Sequence, residues 1–177
     1  MQFFKTLSIL FISTLLACSA YTAESSSKSK SVGDGGRDDF SYLKAKNSNF
    51  KKGKDAIKKA KKFSKKGKKE KSISRFNDAV KYLVLSNKEN PGNPDILNLL
   101  GFSYRKSGDF MMAEIYYKQG LEIDPNHIGI NEYLGELYVQ TGRSDLANER
   151  LKVLENCNCE EFKELKKVIA GTKKTKY

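Results

Sequence analysis

Apolar residues recur through the middle of this chain at helical spacing, and the helical stripes repeat. Leu97, Leu100, Gly101 and Tyr104 fall on one face of a helix, and Ala113, Ile115, Tyr116, Tyr117, Gly120 and Leu121 on one face of the next. Ser107-Gly108-Asp109 separates them: Gly108 suits a helix C-cap and Asp109 an N-cap. Asp124-Pro125 ends the second stripe, because the residue before proline is pushed out of the helical region. The same pattern returns 34 residues on, which pairs Leu100 with Leu134, Gly101 with Gly135, Tyr104 with Tyr138, Gly108 with Gly142 and Pro91 with Pro125, and lines up Ala79, Ala113 and Ala147. A fixed period of this length marks one supersecondary unit stacked on its copies. Each unit is helix, tight turn, helix, stop. Small residues such as Gly101 and Ala113 belong where the two helices cross, since a larger side chain would hold them apart.

The unit 94–127 resembles the tetratricopeptide repeat through Leu97, Leu100-Gly101, Tyr104, Ala113, Tyr117 and Pro125. The unit 128–161 departs twice from that pattern, with Asn131 for the first large residue and Cys159 where proline is expected. The unit 47–93 is degenerate. Ala79, Leu83 and Pro91 fit its second helix, while Phe50, Gly53, Ile57, Ala60 and Phe63 make a stripe that predicts a long first helix over 47–66. Phe162, Leu165 and Ile169 predict a cap helix over 160–170, ended by Gly171. The expected fold is therefore all-α: an antiparallel helix-pair solenoid of about three repeats with a C-terminal capping helix. The repeat domain would span 47–171, followed by a basic tail at 172–177.

Residues 1–20 read as a signal peptide, with Lys5 before a short apolar run and small residues after it. Leu15-Leu16-Ala17-Cys18 resembles a lipobox, which implies lipidation of Cys18; cleavage after Ala20 or Ala23 is the other reading. Residues 21–46, rich in Ser, Gly and Lys, read as a disordered linker. An exported protein is expected, periplasmic or tethered to the outer membrane of a Gram-negative bacterium.

Charge sharpens the picture of the first helix. The chain carries a formal net charge of +12, and between Lys44 and Lys71 fourteen lysines face only Asp55 and Glu70. All the net charge thus sits in one stretch. Lysines spaced i,i+4 along it, such as Lys58 and Lys62, repel by roughly 0.2–0.5 kcal/mol per pair. Lys58, Lys59, Lys61, Lys62, Lys65 and Lys66 are candidates for binding an anionic envelope polymer or lipid; a merely solvated face is the alternative. Export and the lack of aromatics placed to stack bases argue against nucleic acid.

The remaining chemistry is sparse. Cys157 and Cys159 end the last unit, and exported thiols usually pair. A disulfide fixing the cap is the expected reading, with free thiols or a redox centre as the others. Two thiolates fall short of a structural zinc site, so no metal is expected, and no cofactor. His127, the single histidine, reads as a solvent-facing loop residue. No nucleophile–base–orienter set or phosphate loop is visible, so catalytic residues and enzyme activity are not expected.

The resemblance implies a protein or peptide partner held in the groove of first helices. It points to Asp95, Asn98, Phe102, Arg105 and Lys106 in one unit and Glu132, Glu136, Val139 and Gln140 in the next. Phe102 would be either an exposed apolar anchor or a packing contact to the neighbouring repeat. The oligomeric state stays open.

Overall fold

Helix caps set the frame of the array. In the computed structural model, which describes residues 38–173, Asn93 precedes Pro94 and its side chain accepts hydrogen bonds from the backbone N–H of Asp95 at 2.9 Å and Ile96 at 3.2 Å. It starts one helix of the central pair. The Asp109 carboxylate accepts from Met112 N–H at 3.0 Å and starts the other. Seven helices follow one another among the described residues: α1 Asp38–Lys65, α2 Lys69–Glu89, α3 Pro94–Ser107, α4 Phe110–Ile123, α5 Ile128–Gln140, α6 Ser144–Val153 and α7 Glu160–Ile169. No strand occurs among these residues. The fold is the all-α, helix-pair solenoid that the periodicity predicts. Helices α1 to α6 pack mainly against their neighbours along the chain, whereas α7 packs chiefly on α5.

The three first helices, α1, α3 and α5, end in one recurring turn. The N–H of Lys68, Asp109 and Arg143 bonds back to the carbonyl of Phe63, Tyr104 and Tyr138. The turn needs a left-handed residue, and Gly67, Gly108 and Gly142 supply it at φ +69°, +97° and +74°. This fixes the register of the degenerate first unit. Gly67 closes its first helix, and α2 has 21 residues where α4 has 14. The unit is longer because α2 begins two turns early.

Two buried clusters run along the array. One joins Ala56, Ala60, Phe76, Ala79 and Leu83 to Ile96, Leu100 and Phe102. The other joins Ala113 and Tyr117 to Ile130, Leu134, Leu137, Tyr138 and Ala147. Burying one such leucine is worth about 1.5–3 kcal/mol. Gly101 shows why the crossing is tight: a Cβ there would lie 2.6 Å from two ring carbons of Tyr117.

One sequence expectation shifts, and two further details become visible. Helix α1 starts at Asp38, so residues assigned to the end of the linker are helical; Asp38 and Asp39 suit the positive end of a helix dipole. Asn131 is fully buried in place of a large apolar residue, and its amide donates to the carbonyls of Pro125 at 3.0 Å and His127 at 3.1 Å. The polar substitution is thus satisfied inside the fold. Helix α6 is only ten residues long and stops before the cysteines. The cap helix α7 lies within the span expected for it and packs on α5 and α6. The signal segment, Cys18, most of the linker and the end of the tail lie outside the described residues.

Candidate partner-binding face

Helices α1, α3 and α5 lie side by side, with α3 touching both others. The face they share divides into two chemically different parts.

The α3–α5 part is occupied by its own side chains. Phe102 is 2% exposed, with its ring edge-on to Phe76 at 5.8 Å and tilted against Tyr133 at 5.1 Å. Lys61 lies 4.7 Å and Lys106 5.5 Å from the same ring centroid, so α1 and α3 both place a cation over it. Phe102 is therefore a packing contact between repeats, not an exposed anchor. Arg105 and Glu136 form an ion pair at 2.8 Å, and both side chains are fully buried. Arg105 also donates to Gln140 at 3.0 Å. Glu132 is buried as well. The expectation that Arg105, Glu132 and Glu136 line an open groove is corrected: the interlock of α3 and α5 consumes Arg105 and Glu136, and Glu132 is buried. The buried Tyr117 hydroxyl borders this cluster, beside the Arg105 guanidinium. Burial pushes the Tyr117 phenol far above its ordinary range, so it stays neutral.

Of the other expected groove residues, Asp95 and Gln140 are exposed, while Asn98, Lys106 and Val139 are half-buried. Asn98 packs against the backbone at Gly129, where a Cβ would meet its amide nitrogen at 2.8 Å. Asp95 lies 3.3 Å from His127 Nε2. His127 itself is half-buried and accepts from Ile130 N–H through Nδ1 at 3.1 Å, capping α5. It is a structural cap and not a free loop residue. Its place directly before a predicted helix was the signal for this.

The α1 part is different. Lys58, Lys61, Lys62, Lys65 and Lys66 line one continuous surface with Lys54 and Ile57. Lys59 is exposed but is not among the residues lining it. Lys58, Lys62, Lys65 and Lys66 form no ion pair with any described residue. This surface is cationic, and those four lysines are exposed to solvent.

Cys157 and Cys159 are bonded, with Cα atoms 5.1 Å apart, in the α6–α7 linker. Asn158 between them has φ +48°, and Cys159 stands at the N-cap of α7. The bond closes a loop within the linker and ties no distant elements together. No cluster of three metal-ligating side chains occurs among the described residues.

The family model for the tetratricopeptide repeat matches residues 94–127. No curated protein matches the chain. Among solved structures it is similar to the tetratricopeptide repeat domain of Arabidopsis OM64, at 15% identity, covering 71% of this chain and 100% of that one, with a TM-score of 0.47.

Proposed function

We propose that this tetratricopeptide repeat protein is a non-enzymatic interaction scaffold of the bacterial envelope, and that it takes its protein or peptide partner at the α1 end of the face formed by the first helices. The observation that carries the reading is the contrast across that face. Arg105 and Glu136 are buried in the α3–α5 interlock, with Glu132 buried beside them on α5, whereas Lys58, Lys62 and Lys65 of α1 are exposed and pair with no described carboxylate. Contacts by an acidic partner would compensate charges that the fold leaves uncompensated. Envelope residence rests on the leader-like residues 1–20 and on Cys18.

A second reading keeps the same surface and changes the partner. The lysine cluster would hold an anionic envelope polymer or lipid through charge alone. Its support is the concentration of the whole +12 formal charge around α1.

One experiment separates the two. The full chain and a Lys58→Glu/Lys62→Glu variant are crosslinked in envelope extract and also floated with phosphatidylglycerol vesicles. Loss of specific protein crosslinks with no vesicle binding supports the scaffold. Vesicle binding lost in the variant, with no specific protein crosslink, supports the second reading. Protein crosslinks that survive the charge reversal sink the assignment to α1. Intact mass of the mature chain reads the leader directly.

A further inference from the structure

A crevice of about 540 Å³ opens where the α1–α2 turn, the end of α3 and the start of α4 meet. Pockets that seat small ligands or single side chains with their neighbours span roughly 300–1,000 Å³, so this one is large enough. Ile73 and Phe76 from α2 and Phe110 from α4 form its apolar side. Phe76 is buried at its base, while Phe110 remains 39% exposed.

Its polar lining is of one sign. Lys69, Arg105 and Lys106 contribute, and none of the described lining residues is a carboxylate. The Arg105 charge is already met by Glu136. Lys69 is exposed and pairs with no described residue. Two of the lining hydroxyls are spent on backbone carbonyls: Ser72 on Ala60 at 3.0 Å and Ser107 on Tyr104 at 2.9 Å. An apolar surface with a cationic rim is what remains for a ligand to recognise.

The crevice also continues the lysine surface. Ser64, one of its lining residues, follows Lys61 by one turn, and Lys65 and Lys66 come next along the chain. Lys61 and Lys106 meet over the same Phe102 ring. A chain lying along the α1 lysines therefore reaches the crevice without crossing any acidic group that lines either surface.

We infer that the crevice seats one apolar side chain of a partner peptide whose flanking residues are acidic. The inference rests on the scaffold reading and deepens it: lysines supply attraction, and the crevice supplies selectivity. Complementary charge alone steers and orients, whereas an apolar anchor in a desolvated pocket carries binding energy.

The test uses the full chain and labelled synthetic peptides, read by fluorescence anisotropy. One peptide has a single central phenylalanine flanked by glutamates; a second has alanine at the centre. The phenylalanine peptide should bind about tenfold more tightly, a difference of about 1.4 kcal/mol. In Phe110→Ser that preference should vanish, and Ile73→Gln, a second surface change, should remove it independently if the first variant folds poorly. Lys69→Glu should weaken both peptides alike. Equal affinity for the two peptides, a preference that survives both crevice variants, or no binding of either peptide overturns the inference. The crosslinking result on Lys58→Glu/Lys62→Glu stands apart from all three, so the scaffold reading can survive the loss of the crevice.

Discussion

The lysine surface of α1 and the α3–α5 junction lie on one face of the same array and use charge in opposite ways. At the junction, Arg105 and Glu136 are fully buried and meet at 2.8 Å, with Gln140 and the ring of Tyr133 around the guanidinium. On α1, Lys58, Lys62 and Lys65 stand in water and pair with no described carboxylate. A buried charge must be paired, because desolvation is costly; an exposed one costs little and remains available. The junction's polar groups thus specify how repeats stack, while Lys58, Lys62 and Lys65 of α1 are left free of that task. Charged residues on one face of an array can therefore have unrelated roles, and burial distinguishes them.

The comparison breaks most visibly at Arg105. Arg105→Ala should cost about 3–5 kcal/mol in urea unfolding, because Glu136 is left buried and unpaired. Arg105→Met with Glu136→Leu should restore most of that loss. A single variant that unfolds at the wild-type midpoint would show the pair to be solvated. Next comes packing: Gly101→Ala pushes a methyl into the Tyr117 ring and should cost about 1–3 kcal/mol. Gly120→Ala should cost less, since the 2.4 Å clash there is with the movable end of Ile130. Equal losses in thermal melts would remove the distinction.

A third, smaller effect concerns Glu114, which pairs with Arg143 and with Lys118, each at 2.8 Å. The Arg143 hydrogen bond, ahead of Lys118, holds its carboxyl below the ordinary value of 4.5. A depressed folded-state pKa contributes stability above the unfolded value, and that contribution fades as pH falls through the folded one. Glu114→Gln should then lose up to about 1 kcal/mol near neutrality. The two proteins should converge as the urea titration is moved well below pH 4.5. A gap unchanged with pH would assign the loss to packing.

The smallest effect tests the other side of the comparison. Lys58 has like-charged neighbours one turn away at Lys54 and Lys62. Lys58→Gln should raise stability by about 0.4–1 kcal/mol at low salt, and the gain should shrink as salt screens the charges. A loss instead would mean that Lys58 already has a structural role.

Much of this was legible in the sequence, for a physical reason. Leu97, Leu100, Gly101 and Ala113 recur because every unit solves the same crossing problem, and a periodic problem leaves a periodic trace. The α3–α5 interlock left a weaker one. Arg105 and Glu136 are 31 residues apart and not 34, so their meeting depends on how one unit sits on the next. Opposite charges about one turn short of a full period would have been the sign to seek. Phe102 read equally well as anchor or as packing, because its cover comes from Phe76, Tyr133 and Lys61 on three other segments. The start of α1 was hidden by the polar composition around Asp38 and Asp39, which suits a linker as well as the first turn of a helix. His127 was missed because capping by imidazole is uncommon beside Ser, Thr, Asp or Asn.

The placement of α7 has a consequence for growth of the array. Helix α7 packs on both helices of the last pair, α5 and α6, where the first helix of a further unit would stack. Duplicating residues 94–127 in place should lengthen the array, since a copy presents the same surfaces at both ends. Appending that copy after α7 should give two separate bodies on one string.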